Sequence, residues 1–169
     1  FTEQKTYKDL KIFFYKFKSV VKKERLKVVT FSDKSFEMYA SVASIFFSNN
    51  IWIPISLNTP LDRLKKVLAS SKPHLIITTD NFAYLNNKKF IIFCKNNNIK
   101  IVQYKTINNS NPQNKTFFPQ IDYKNLSMIF FTSGSTGDPK GVCVTYKNFI
   151  SCFKSKEKIL YSNNKNLIF

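Results

Sequence analysis

The residues whose types and spacing suit chemistry are concentrated in one short segment, residues 132–140. Its nine residues include two Gly, two Ser, two Thr and one Lys, and apolar runs flank it on both sides. Glycine allows positive φ, so that successive backbone N–H groups can converge on an anion. Lys140 adds a positive charge, and four hydroxyls can donate to phosphate oxygens or hold a metal ion: Thr132, Ser133, Ser135 and Thr136. The composition therefore favours a polyphosphate ligand.

An ordinary hairpin turn is the alternative for this segment, since Gly, Ser and Asp-Pro are common in turns. A turn needs only about two to five residues, however, and does not require so many hydroxyls. The segment also lacks the G-x-x-x-x-G-K-[ST] pattern of a P-loop, because Gly141 follows Lys140. We therefore predict a phosphate loop of another type, placed between two strands.

The elements that must position this loop follow from hydrophobic periodicity. Helical spacing predicts helices at residues 6–24, 34–47, 61–71 and 146–160, with a short helix after Asp80. Ser32 and Asp33 are candidate caps of the second helix, and Pro60 suits the first turn of the third. Apolar and β-branched runs predict strands at residues 26–31, 51–55, 75–78, 90–93, 99–103, 127–131 and 141–145, and another beginning at 167–169.

Strands that alternate with helices predict an α/β fold with a largely parallel sheet, flanking helices and the phosphate loop in a β-hairpin. Residues 106–119 are rich in Asn, Gln, Pro and Thr, which bury little apolar area. We expect this stretch to be an exposed connection.

The formal net charge is +17, which can indicate a polyanionic partner. Nearly all of the positive charge is Lys, with Arg only at Arg25 and Arg63, whereas recognition of base edges and phosphates favours Arg. Lys, Asn, Ile and Phe are all encoded by A/T-rich codons, so codon bias explains the composition without selection for a basic surface. We predict no nucleic-acid partner. A basic nucleic-acid-binding module stays as an alternative, and its binding would weaken steeply with salt.

Cysteine and histidine usage favours neither disulfides nor a metal site. Cys94, Cys143 and Cys152 are odd in number and have no C-x-x-C spacing. The single His74 has no neighbouring cysteines or paired carboxylates. No apolar run reaches the roughly 20 residues of a membrane span, and the first residues lack the pattern of a secretion signal. We therefore expect a cytoplasmic protein without a metal site or a membrane span.

Residues 130–142, F-F-T-S-G-S-T-G-D-P-K-G-V, closely resemble the signature of the acyl- and amino-acid-activating adenylate-forming superfamily. Residues 6–10 are similar to the family's T-Y-x-E-L segment, and residues 52–64 to its Y-V-P-L-D-P-x-x-P-x-x-R-L stretch. The resemblance extends from Lys5 to about Phe153, with residues 106–119 as a variable insertion. Residues 48–50, Ser-Asn-Asn, replace the family's Ala-Gly-Gly, and because Asn tolerates left-handed backbone we expect the turn there to survive.

The resemblance implies an enzyme that joins a substrate carboxylate to the α-phosphate of ATP and releases pyrophosphate in the presence of Mg²⁺. A thiol of a carrier's phosphopantetheine or of coenzyme A then takes the acyl group. The S-G-S-T-G form is similar to that of peptide-synthetase adenylation domains and D-alanine:carrier-protein ligases, which favours an amino acid as substrate. The residues implied to hold the β- and γ-phosphates are Thr132, Ser133, Gly134, Ser135, Thr136 and Gly137, with Lys140 assisting.

The same resemblance places the substrate pocket, the ribose contacts and the catalytic lysine beyond Phe169. We therefore expect residues 1–169 to be a partial amino-terminal subdomain of an adenylation domain that is inactive alone. A degenerate, non-catalytic remnant of such an enzyme is the alternative. Coding sequence for the missing segments directly downstream would exclude it.

Overall fold

The computed structural model describes residues 4–31, 34–112, 118–133 and 138–163. Helices and strands alternate along them. The helices are α1 Tyr7–Val20, α2 Phe36–Phe47, α3 Leu61–Ser71, α4 Lys88–Asn96, α5 Tyr104–Asn108 and α6 Tyr146–Asn163. The strands are β1 Lys27–Phe31, β2 Ile51–Ile55, β3 Leu75–Thr78, β4 Lys100–Gln103, β5 Leu126–Ser133 and β6 Pro139–Thr145.

The strands form one sheet in the order β4-β3-β1-β2-β5-β6. Strand β1 pairs in parallel with β2 and β3, so that Val29 lies opposite Ile53 on one side and Ile76 on the other. Strands β4 and β5 also run parallel to their neighbours, and β6 is antiparallel to β5. The parallel strands therefore end at one edge of the sheet, which we call the carboxyl edge. The predicted α/β class with a largely parallel sheet is confirmed.

Helices cover both faces of the sheet, because successive residues of a strand point to opposite sides. Val29 of β1 belongs to a buried cluster with Leu64 of α3. Its neighbour Val28 belongs to a second buried cluster with Phe17 of α1 and Ile45 of α2. Each fully buried side chain of this size contributes roughly 1.5–3 kcal/mol, so both helical layers fix the sheet in place.

The cap of α2 differs from the sequence prediction. Ser32 and Asp33 are the predicted candidates, but the structure assigns the cap to Ser35, whose hydroxyl accepts a hydrogen bond from the Met38 N–H at 3.1 Å. The helix begins at Phe36, and a capping side chain must stand immediately before the first helical residue. Ser32 and Asp33 themselves lie outside the described residues.

The strand predicted at residues 90–93 is wrong, because this stretch lies inside helix α4. Phe90 and Cys94, four residues apart, are buried on one side of the helix, while Ile91 and Ile92 face solvent. The side chain of Asn87 caps the helix by accepting a hydrogen bond from the Phe90 N–H. A short apolar run suits a strand and a helix equally, so the run itself did not reveal the helical period.

The prediction that residues 106–119 form an exposed connection is wrong at Ile107. This residue belongs to α5 and is fully buried. This short helix packs Ile107 and Tyr104 into the cluster formed with α1 and α2. The remaining residues of the stretch that the structure describes are exposed or half-buried, and residues 113–117 lie outside it. The strand predicted to begin at residue 167 also lies outside the described residues.

The turn at residues 48–50 takes the form expected of it. Asn49 adopts a left-handed conformation with φ of 54°, which Asn tolerates better than most residues. Its carbonyl accepts a hydrogen bond from the Arg25 N–H at 2.9 Å. The Asn50 side chain accepts one from the Leu26 N–H at 2.8 Å. The turn thereby ties the start of β2 to the start of β1.

Candidate phosphate-binding site

The predicted loop lies in a β-hairpin formed by β5 and β6. Thr132 stands opposite Lys140, and Ser133 opposite Pro139, at the end of an antiparallel ladder that begins at Leu126 and Thr145. Residues directly opposite each other in such a ladder present their side chains on the same face. The hairpin therefore brings the Thr132 hydroxyl and the Lys140 ammonium to one exposed face.

The hairpin ends at the carboxyl edge of the sheet, because β5 runs parallel to β2. Ligands of open α/β sheets bind outside this edge. Four of the predicted site residues, Gly134 to Gly137, lie outside the described residues. The structure thus places the two ends of the loop, at Thr132–Ser133 and at Lys140, where a ligand of the sheet is expected.

Gly141 leaves room for two side chains of the facing strand β5. A Cβ atom built on it would lie 3.2 Å from Cγ2 of Ile129 and 3.2 Å from Cζ of Phe131. Ile129 is buried in the core, so it has little freedom to move aside. The glycine after Lys140 therefore has a packing role, which the motif alone does not reveal.

A cavity of about 200 Å³, with polar and apolar walls, lies beside the hairpin. The ring of Phe131 forms one wall, and Arg63 from the first turns of α3 forms another. In the sequence, Arg63 is one of the two arginines and falls within the family resemblance, but it is given no role at the site. The remaining wall residues come from the end of β2, from the connection that follows it and from α3: Pro54, Ile55, Ser56, Thr59 and Val67.

An ion pair joins the returning end of the loop to α3. The Lys66 ammonium lies 2.7 Å from Oδ1 of Asp138. This hydrogen bond, with the charge of Lys66, holds the pKa of the Asp138 carboxyl below its usual value. The two residues are 72 positions apart, so no local spacing rule could have predicted the pair.

The histidine and the cysteines form no site of their own within the described residues. His74 Nδ1 accepts a hydrogen bond from the Lys27 N–H at 3.0 Å. Cys94 is buried, whereas Cys143 and Cys152 are free and exposed. Within the described residues there is no group of three His, Cys, Asp or Glu side chains that could hold a metal. No helix there is long and apolar enough to cross a membrane.

A larger cavity of about 620 Å³ lies between the starts of α1 and α2. Its walls are mainly apolar and include Tyr7, Leu10, Phe36 and Tyr39. It shares no residue with the hairpin or with the cavity beside it. The larger of these two cavities is therefore not the one beside the candidate phosphate loop.

Fold and site together define an α/β protein whose β5–β6 hairpin carries the candidate phosphate loop at the carboxyl edge of the sheet. Residues 18–166 match the family model described as AMP-binding enzyme. The chain therefore belongs to this family of adenylate-forming enzymes, and the resemblance inferred from the sequence is confirmed.

Individual relatives agree with the family assignment. The chain is 28% identical over 144 residues to the Hybrid PKS-NRPS synthetase fsa1 of Fusarium sp. (strain FN080326). The matched region covers 83% of this chain and 3% of the synthetase. It is 30% identical over 130 residues to the Dimodular nonribosomal peptide synthase of Bacillus subtilis (strain 168), covering 74% of this chain and 5% of that protein. The chain thus spans a small fraction of the length of these relatives.

A solved structure shows the same fold. The McyG A-PCP protein complexed with phenylalanyl-adenylate superposes with a TM-score of 0.75 at 17% identity, covering 97% of this chain and 27% of the McyG chain. At this identity the likeness concerns the fold.

Proposed function

We propose that this chain supplies the ATP phosphate-binding loop of an enzyme that activates a carboxylate as an acyl- or aminoacyl-adenylate. The observation that carries the proposal is the pairing of Thr132 with Lys140 at the end of the β5–β6 hairpin. This pairing places one hydroxyl and one cation side by side at the carboxyl edge, which is where ligands of open α/β sheets bind. The family assignment supports the same reaction class.

In the proposed reaction a carboxylate oxygen attacks the α-phosphorus of ATP and the bond to the bridging oxygen of pyrophosphate breaks. Negative charge then develops on the leaving pyrophosphate. Fixed N–H and hydroxyl donors near that charge stabilise the transition state more than the ground state. The loop residues from Thr132 to Gly137 would supply these donors, and Lys140 would supply a positive charge.

Mg²⁺ fits this site as a companion of the nucleotide. It is usually bound by substrate phosphates, water and one or two protein oxygens, so it does not require a cage of carboxylates. The hydroxyls of Thr132, Ser133, Ser135 and Thr136 would supply such an oxygen, since the carboxylate of the segment, Asp138, is already paired with Lys66. Bound there, Mg²⁺ would neutralise charge on the phosphates.

We further propose that the carboxylate is an amino acid and that a carrier thiol receives it. Supporting this, the relatives are named as peptide synthetases. The McyG structure, which has the same fold, is described as complexed with phenylalanyl-adenylate. Coenzyme A is the other acceptor to test, because it presents the same phosphopantetheine thiol.

The proposal is tested by amino-acid-dependent exchange of labelled pyrophosphate into ATP, measured on the complete enzyme that contains this chain. We expect exchange with one amino acid or a small set of them, and its loss when Lys140→Ala is combined with Ser135→Ala. Lys147→Ala, which removes the same charge from the start of α6, is the matched control and should retain exchange. No exchange with any amino acid or fatty acid would refute the proposed function.

A further inference from the structure

The candidate loop contains an acidic residue, Asp138, which is unfavourable beside a polyphosphate. It stands two residues before Lys140 and is followed by Pro139, the first residue of β6. A carboxylate so close to the proposed ligand would repel the phosphates and could also pair with Lys140. Either effect would weaken an anion site, so the environment of Asp138 matters to the loop.

The structure shows where this carboxylate is held. Its Oδ1 atom accepts a hydrogen bond from the Lys66 ammonium at 2.7 Å. Within the described residues Lys140 forms no ion pair. Lys66 of α3 thus compensates the negative charge of Asp138, and no acidic side chain among the described residues competes with a ligand for Lys140.

Lys66 is anchored by the packing of its own helix. Its neighbour Val67 and the nearby Leu64 are buried in the core cluster, so the backbone of α3 is fixed against the sheet. Asp138 is constrained from the other side by Pro139, because a proline ring restricts the backbone of the preceding residue and Pro139 itself pairs with Ser133. The ion pair therefore connects a rigid helix to the end of a segment rich in glycine.

We propose that Lys66 is a positioning residue of the phosphate loop, which holds and neutralises Asp138 so that Lys140 remains available to the pyrophosphate part of ATP. This inference rests on the proposed function of the loop and assigns a role to a residue outside the family motif. Lys66 acts through Asp138 and does not touch the nucleotide.

The expected effect is moderate, because both side chains are largely exposed, at 58% and 72% of their full accessibility. Exposed ion pairs are weak and are screened by salt. Lys66→Ala should therefore raise the dissociation constant of inorganic pyrophosphate about two- to five-fold at low salt. In about 1 M salt, where the screening length falls to roughly 3 Å, the difference should disappear.

A double-mutant cycle separates this role from the loss of a distant positive charge. The probe is inorganic pyrophosphate, titrated calorimetrically into this chain. In an Asp138→Asn background Lys66→Ala should no longer weaken binding, because there is no carboxylate to neutralise. Lys66→Arg should preserve the wild-type affinity. Lys65→Ala, on the same helix, is the matched control and should change affinity less than Lys66→Ala.

Carboxyl-carbon NMR provides a readout of the pair itself. The pKa of Asp138 should rise when Lys66 is replaced by Ala, since the hydrogen bond and charge that lower it are removed. An unchanged Asp138 pKa, or equal effects of Lys66→Ala and Lys65→Ala on affinity, would overturn the inference. If instead the wild-type chain does not bind pyrophosphate, the proposed function of the loop fails, and the role of Lys66 fails with it.

Discussion

At the scale of single residues, Gly141 shows that a position in the loop motif can be required by packing. Its missing side chain leaves room for Ile129 and Phe131 at 3.2 Å from where a Cβ would stand. The motif allowed us to predict Thr132 and Lys140 as site residues, because their chemistry is visible in their types. The contact at Gly141 and the Lys66–Asp138 pair depend on strands and helices meeting in space, which residue types do not reveal.

Gly141→Val should destabilise the chain by about 1–3 kcal/mol, the usual cost of overpacking. The added side chain would press on Ile129, which is buried and has little room to move aside. Trp52 is the single Trp of the chain, so urea unfolding followed by its fluorescence measures the loss. Val142→Thr, on the exposed side of β6, is the control and should stay within about 0.5 kcal/mol of wild type. Equal stability of the two variants would contradict the packing role.

Tyr146 should give the chain a distinct dependence on alkaline pH. Its hydroxyl lies 3.2 Å from the Phe46 carbonyl and 3.3 Å from the Asn50 carbonyl, and burial raises its pKa to about 12. Below the unfolded pKa of about 10 the protonated form is present in both states, and the hydrogen bond stabilises the fold fully. Between about pH 10 and 12 the unfolded chain loses this proton first, so the stabilisation falls as pH rises.

Tyr146→Phe should therefore cost roughly 1–2 kcal/mol at pH 7 through the lost hydrogen bond. The difference in free energy of unfolding from wild type should shrink as pH rises from about 10 to 12, since Phe does not titrate. Urea unfolding at several pH values measures both. Tyr39→Phe, at an exposed position, is the control and should show no such trend. A Tyr146→Phe difference independent of pH would contradict this account.

At the scale of elements, the sequence predicted the bounds of β2 and β3 because apolar runs between polar turns leave few alternatives. The prediction failed at α4, because the apolar run at residues 90–93 is compatible with a strand or a helix. Only the burial of Phe90 and Cys94, four residues apart, shows that this segment is helical. The prediction also missed α5, because one buried residue, Ile107, decides its packing. The polar residues around Ile107 do not indicate that this one side chain is buried.

The cap of α2 gives a prediction at this scale. Ser35→Ala should destabilise the chain by about 0.5–2 kcal/mol, because the Met38 N–H loses its acceptor. Ser35→Gly should cost only a few tenths of a kcal/mol, since glycine is a tolerated cap. Thermal or urea unfolding distinguishes the two. Equal stability of Ser35→Ala and wild type would show that another residue caps the helix.

At the scale of the whole molecule, burial should decide which cysteines react. Burial raises the pKa of the Cys94 thiol to about 11, whereas Cys143 and Cys152 are exposed. Because the thiolate is the reactive form, an aromatic disulfide reagent at pH 8 should modify Cys143 and Cys152 quickly. Cys94 should react only when the chain unfolds. A Cys143→Ser, Cys152→Ser double variant that reacts quickly in its native state would contradict the packing of α4 against the sheet.

The central claim is that the hairpin loop at residues 132–140 binds the phosphates of ATP. Calorimetric titration of this chain with pyrophosphate in the presence of Mg²⁺ tests it most directly. We predict saturable binding that Thr132→Ala and Lys140→Ala each weaken by about 10- to 100-fold, as expected for lost charge-assisted hydrogen bonds. Lys147→Ala should leave binding unchanged. Absent binding, or equal affinity of the wild type and both loop variants, would contradict the claim.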